Sequence, residues 1–344
     1  MDKNTSNRKS DEELAKWGWS PFFAKGLKGE EKKSLIPGRI ILERKTLYHV
    51  MTASGERTVK LPGRARHKAV DERELPVVGD WVSLSGDTDH ALIRAILPRK
   101  TCVTRKIAGQ RKRRSGGIQK EQVLAANIDV IFIMSGLDRE FNAERIERYC
   151  AITRQSGAKP VIVLNKADLA GDTEEILLDL KNRIPEIPVH ACSAKNREGL
   201  ETLDRYLKKG KTIALLGSSG VGKSTLINAW LGTDKQRVDE VDNTTKRGRH
   251  VTTHRELILM PNGAIVMDNP GMREIQLWGD EDSLNQSFED FDELAEGCRF
   301  RDCSHTHEPG CAVLKALDES RIPEARYYNY IKMKEEIQKS NEKY

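Results

Sequence analysis

The chain has 344 residues, 38% hydrophobic and 32% charged, with a formal net charge of +6. That length carries two or three domains with cores of their own, and no apolar run reaches the ~20 residues of a membrane span. Six cysteines are too few for a disulfide scaffold in so long a chain, and the polar start "MDKNTSNRKSDEEL" lacks the apolar segment of a secretory signal, so a cytoplasmic protein without membrane contact is expected.

Residues 1–36 are expected to form a flexible tail, although "WGWSPFF" (17–23) is unusually aromatic for one. Residues 37–105 read as five short strands: "GRIILER", "TLYHVMT", "ERTVKLP", "GDWVSLS" and "HALIRAIL". Turns containing glycine and aspartate separate them. This pattern predicts a small barrel, with the OB-fold one candidate and an SH3-like barrel the other. Residues 91–120 contain no acid and ten bases, among them Arg111, Lys112, Arg113 and Arg114. Their core, "GQRKRRSGGIQ", has no apolar period and reads as a mobile basic loop suited to phosphate.

From about residue 122 apolar strands alternate with amphipathic helices. Strands are expected at 128–136, 160–165, 188–193 and 212–217. Helices are expected near 142–156, 173–183 and 198–208, with another starting at Lys223. That alternation is the mark of a parallel, doubly wound α/β sheet. A hairpin follows, "RELILM", "PNG", "AIVMD". The division expected is a barrel over 37–105, an α/β domain with its basic linker over 106–275, and a C-terminal module over 276–344.

The motifs fall at the ends of these strands. In "NKAD", Asp168 can accept two hydrogen bonds from guanine, a pair that adenine does not offer. Asn165 can meet the other edge of the base and tie this loop to the phosphate loop, the Lys166 stem can lie on the base, and Ala167 completes the turn. In "CSAK", Ser193, Ala194 and Lys195 form a second turn, where a backbone N–H near Ala194 would face guanine O6. "GSSGVGKST" matches the phosphate loop, G-x-x-x-x-G-K-[ST], between a strand and a helix. Gly217, Ser218, Ser219, Gly220, Val221 and Gly222 would wrap phosphate with backbone N–H groups. Lys223 would supply charge, Ser224 a hydroxyl for Mg²⁺, and Thr225 the helix's next residue. "RHVTTH" (249–254) offers Thr252 and Thr253 as switch threonines, with Thr253 the second Mg²⁺ ligand. In "DNPG", Asp268 would hold Mg²⁺ through water and the Gly271 N–H would sense the γ-phosphate. Many GTPases place a water-orienting glutamine next. Here Met272 stands there, which leaves His250 as the candidate catalytic group.

The phosphate loop follows the guanine motif, the reverse of the ordinary order. A circular permutation explains this. "KKGK" (208–211) joins the usual ends, and the new ends fall before strand 128–136 and after "DNPG". The second switch then leads straight into the C-terminal section. There "CRFRDCSHTHEPGC" (298–311) spaces Cys298, Cys303, His305 and Cys311 as a structural Zn²⁺ set, with His307 a competing ligand. Cys102, Cys150 and Cys192 read as buried thiols.

These motifs, in this order over about 37–335, resemble the RsgA/YjeQ family, small-ribosomal-subunit-dependent GTPases of bacteria. The resemblance implies an OB-fold in front and a circularly permuted P-loop GTPase domain with a zinc-binding helical module behind. It also implies GTP hydrolysis to GDP assisted by His250, stimulation by the small subunit and its rRNA, and a role in late subunit maturation. The family often has threonine where Val251 stands. The chain is expected to be a monomer. The competing readings are a permuted GTPase acting on another RNA such as tRNA, an ATP-using kinase with no need of Asp168, and an RNA-binding module with an inactive nucleotide site.

Overall fold

The computed structural model describes residues 3–27, 35–44, 47–63, 72–86, 91–106, 121–138, 141–171, 173–218, 220–232, 255–268, 288–300, 302–324, 326–328, 330–331 and 334. Five strands near the start close on themselves: β1 (Ile36–Arg44), β2 (Leu47–Thr52), β3 (Gly55–Lys60), β4 (Trp81–Ser85) and β5 (Leu92–Ile96). They pair in the order β1-β2-β3-β5-β4, and β4 returns to β1 through Arg39↔Trp81. All pairs are antiparallel except β3 with β5. This is the five-stranded Greek-key closure of an OB barrel. Alternation drives it: in β2, Tyr48, Val50 and Thr52 turn inward while their neighbours are half-buried.

A hairpin comes next, β6 (Cys102–Lys106) with β7 (Glu121–Ala126). The sequence reading expects β5 in "HALIRAIL" and a loop only over the core of the basic run, "GQRKRRSGGIQ", but it names no strand at β6. Cys102–Lys106 has too short an apolar pattern to signal a strand alone, and its ladder is supplied by β7. Residues 107–120, which hold the densest charge, lie outside the described residues.

The same sheet extends beyond the barrel in the order β10 (Val189–Ala191), β9 (Lys159–Asn165), β8 (Val130–Gly136), β11 (Thr212–Leu216), β13 (Ile265–Asp268), β12 (Glu256–Leu259), and β12 joins the barrel by pairing antiparallel with β1 at Leu42↔Glu256. The first five are parallel and β12 is antiparallel to β13. Every residue of β8 and β11 is buried, as expected of central parallel strands. Among the flanking helices, α3 (Ala143–Gln155) starts where the Asn142 side chain accepts from the Arg145 N–H at 2.7 Å. α4 (Thr173–Arg183) and α5 (Lys223–Leu231) also match the expected helices.

The helix expected near 198–208 is instead a 3₁₀ turn, Leu200–Leu203, followed by further tight turns. The Tyr206 and Leu207 N–H groups reach back three residues, to Leu203 and Asp204. This winding buries Leu203 and Leu207 over the short span before β11.

The N-terminal segment differs most from its expectation as a flexible tail. Helices α1 (Lys3–Ala15) and α2 (Pro21–Ala24) precede the barrel. Leu14 and Phe23 are buried with Trp81 and Leu97, and Trp17 and Trp19 pack on the same cluster. The aromatic run thus has an apolar surface to cover, which outweighs the entropy of ordering it.

At the other end, α6 (Glu289–Ala295) and α7 (Ala312–Asp318) enclose a small core of Phe288, Phe291, Val313, Ala316, Tyr327 and Tyr330. Among the described residues no helix is long and apolar enough to cross a membrane.

Candidate functional site

The parallel strands deliver their motifs to one edge of the sheet. Gly136 pairs with Asn165 and Leu164 with Ala191, so β8, β9 and β10 end together. Leu216 pairs with Ile133, and Met267 with Ala214, which brings β11 and β13 to the same edge. Ligands of open α/β sheets bind at this carboxyl edge.

Asn165 ties three motifs. It is 3% exposed. Its Nδ2 donates to the Val221 carbonyl in the phosphate loop at 2.8 Å, and its Oδ1 accepts from the Ala194 N–H at 2.9 Å. The Ala194 N–H, aimed at guanine O6 in the sequence reading, is therefore directed at Asn165. The Ala167 N–H donates to the Cys192 carbonyl at 3.1 Å, a second tie between the two base-side turns. Lys166 adopts the left-handed region (φ 65°) and sends its ammonium to Asp138 at 2.5 Å. Asp138 escaped the sequence reading; its only signal was its place just beyond the end of β8. Asp168 is exposed in the 3₁₀ turn Ala167–Leu169, and Lys195 is exposed beyond the buried Ser193.

In the phosphate loop the Lys223 ammonium lies over the backbone, held by the carbonyls of Gly217 (2.8 Å) and Ser218 (2.7 Å). An anion cradled by the loop's N–H groups would meet that charge. Gly222 enters α5 at φ 97°, and a Cβ there would stand 2.1 Å from Asn165 Nδ2. Both conformation and space demand glycine. Ser224 and Thr225 occupy the first turn of α5. Asp268 is the last residue of β13. Ser219, His250, Thr252, Thr253, Gly271 and Met272 lie outside the described residues.

The four residues Cys298, Cys303, His305 and Cys311 converge, with one ligand atom from each within 4.8 Å of the others. Tetrahedral Zn²⁺ bond lengths require sulfurs about 3.8 Å apart and a sulfur–nitrogen separation of about 3.5 Å. Cys298 and Cys311 sulfurs are 3.8 Å apart, and His305 Nδ1 is 3.6 Å from Cys298 and 3.5 Å from Cys311. The donor set therefore fits the ion. His305 takes φ 65°, and the Tyr327 hydroxyl donates to its carbonyl at 2.8 Å. The Glu308 carboxylate accepts from the Ser304, Thr306 and His307 N–H groups. A hydrogen bond from the Ser304 side chain first, then bonds from backbone N–H groups including those of Ser304 and His307, hold it well below the usual carboxylate range against the opposing effect of desolvation. His307 is exposed and bonded to Thr306 Oγ1, outside the ligand cluster. None of the other three cysteines is in a disulfide; Cys150 and Cys192 are buried as expected, whereas Cys102 is half-buried. Burial, with Glu201 a lesser cause, pushes Cys192 up to about 12, which makes it inert.

The zinc-type module touches the base side of the sheet. Arg326 grips Asp290 with both nitrogens (3.0 and 2.8 Å) and donates to the Arg183 carbonyl at the end of α4 at 2.8 Å.

Comparison with known proteins agrees with this geometry. The family model described as RsgA GTPase matches residues 96–278. A curated relative from Opitutus terrae, named small ribosomal subunit biogenesis GTPase RsgA, is 42% identical over 334 residues, covering 94% of this chain and 89% of its own. The crystal structure of YjeQ from Thermotoga maritima superimposes with a TM-score of 0.65 at 26% identity, over 88% of this chain and 99% of that one. That of YloQ, described as a circularly permuted GTPase, gives 0.63 at 22% identity, over 91% and 98%, and shares the fold. A phosphate loop placed after its guanine motif, on a sheet that keeps both at one edge, is the permuted arrangement, and with these relatives it places the chain in the RsgA GTPase family.

Proposed function

We propose that this GTPase acts in late maturation of the small ribosomal subunit, hydrolysing GTP to GDP and phosphate when it engages the subunit and its rRNA. The observation that carries the nucleotide part is the Asn165 bridge, which joins "NKAD", "SAK" and the phosphate loop at one sheet edge. The ribosomal part follows from the relative's name.

In this reading Asp168 selects guanine, Asn165, Lys166 and Ala167 form one wall of the base pocket, and Ser193, Ala194 and Lys195 form the other. Gly217 to Thr225 cradle the phosphates. Mg²⁺ would be held by Ser224 and Thr253, with Asp268 behind a water, and would offset phosphate charge. Thr252 is the other switch threonine, the Gly271 N–H senses the γ-phosphate, and His250 orients the attacking water in place of the absent glutamine. Cys298, Cys303, His305 and Cys311 hold one structural Zn²⁺. The working division is a barrel over 37–105, a GTPase domain over 106–275 and a zinc module over 276–344, in a cytoplasmic monomer. Arg111, Lys112, Arg113 and Arg114 supply phosphate contacts.

GTP turnover with and without purified small subunits tests the reading. Subunits should accelerate turnover at low salt, with the effect weakening as salt rises and counterions compete. No acceleration by subunits, or equal acceleration by transfer RNA, overturns the ribosomal reading and leaves the GTPase standing.

A further inference from the structure

Arg39 sits within β1 and is 1% exposed. Its guanidinium donates to the Gly79 carbonyl (3.3 Å), the Trp17 carbonyl (2.5 Å), the Asn127 carbonyl (3.0 Å) and Thr212 Oγ1 (2.8 Å). These acceptors belong to four pieces of chain: the N-terminal segment after α1, the barrel turn before β4, the joint between β7 and β8, and the first residue of β11. Burial draws the guanidinium down to about 10, opposed by the charges of Asp129 and Asp80. A buried cation on neutral acceptors is tolerated only while those acceptors stay in place.

The same segment covers the permutation joint. Gly18 (φ 87°) and Gly210 (φ 71°) face each other. A Cβ on Gly18 would meet the Gly210 carbonyl at 2.7 Å, and one on Gly210 would meet the Ala15 carbonyl at 2.8 Å. Gly210 belongs to the "KKGK" connection that leads into β11. Trp19 and Phe23 lie 4.7 and 5.6 Å from the Trp81 ring, and the Lys100 ammonium stands 4.7 Å over Phe23.

We infer that the N-terminal segment is an intramolecular clasp over the permutation joint, and that Arg39 is a positioning residue that fixes the barrel against β11, the strand ending at the phosphate loop. β11 is buried along its whole length, so a displacement at Thr212 is carried to Gly217, roughly 16 Å away at the rise of a strand. A partner gripping the barrel thereby acts on the nucleotide edge from the opposite end of the sheet. This last step rests on the proposed ribosomal function; the clasp does not.

The test uses the full chain with Gly18→Val, Arg39→Met and Arg39→Lys. Hydrogen exchange should be at least about tenfold faster at the Asn127 joint and at Thr212, as expected when a local unit opens. GTP affinity and unstimulated turnover should stay within about twofold, and subunit-stimulated turnover should fall at least about fivefold, a split that general destabilisation does not produce. Arg39→Lys should not rescue, because one ammonium cannot reach four diverging acceptors. Wild-type exchange at the joint in Gly18→Val overturns the clasp. Wild-type stimulation with the joint opened overturns the positioning role. If Arg39→Met does not fold, Gly18→Val decides. If wild-type protein is not stimulated by subunits, the ribosomal reading fails and the exchange measurement alone decides the clasp.

Discussion

Asn165 and Val221, 56 residues apart, are joined by a single buried hydrogen bond of 2.8 Å from the side-chain amide to the carbonyl. The other end of the same amide holds the Ala194 N–H. One side chain thus sets the spacing between the "NKAD" turn, the "SAK" turn and the glycine-rich loop 217–224.

Asn165→Ala should weaken GTP binding by about tenfold or more, since it leaves a buried carbonyl and a buried N–H unpaired at about 1–3 kcal/mol each. Titration with a fluorescent guanine nucleotide measures this. Near wild-type affinity would mean the loops hold their spacing without the bridge.

Asp168→Asn should shift preference from guanine towards xanthine nucleotides, because the amide donates where the carboxylate accepts. The side chain is exposed on its turn, so the change should leave the fold untouched. Parallel GTP and XTP titrations check it, and unchanged GTP affinity removes Asp168 from the base contact.

Cys303→Ser should lower zinc content from about one per chain to near zero and melt the C-terminal module, since such sites supply folding energy. The GTPase sheet should keep its nucleotide affinity, because none of its strands uses these ligands. Elemental analysis and thermal melts with GDP read both arms. Full zinc in the variant refutes the ligand set.

His250→Ala should slow GTP hydrolysis by about a hundredfold or more, within the usual range for a proton-handling group, while GTP affinity stays within about twofold. The basis is Met272, which cannot orient water. Single-turnover kinetics separate the two quantities, and wild-type turnover in the variant moves the role elsewhere.

Local pattern accounts for what was legible beforehand. The strands of the barrel and the GTPase sheet announced themselves by alternation or by continuous apolar runs, and α4 by its period, because these signals are written within a few neighbouring residues. The phosphate loop, "NKAD" and the cysteine cluster were legible for the same reason. The β6–β7 hairpin was not, because Cys102–Lys106 gains its ladder from residues that follow at Glu121–Ala126. The 198–208 stretch misled because helical periodicity and a series of tight turns place the same leucines inward.

The sequence by itself determined the chemistry: guanine and phosphate motifs in permuted order, a zinc-type ligand set, and a missing glutamine. Only the tertiary structure decided how the pieces are held. It excluded His307 from the ligand cluster, added the Ala194 N–H to the tie expected of Asn165, paired Lys166 with Asp138, and turned an apparent tail into a segment docked on Trp81. Each of these depends on groups distant in sequence meeting in a buried place, where an unpaired donor or an uncovered ring is costly. No local pattern encodes that meeting, and Arg39, an unremarkable arginine in a strand, gains its meaning only from the four carbonyl and hydroxyl oxygens that surround it.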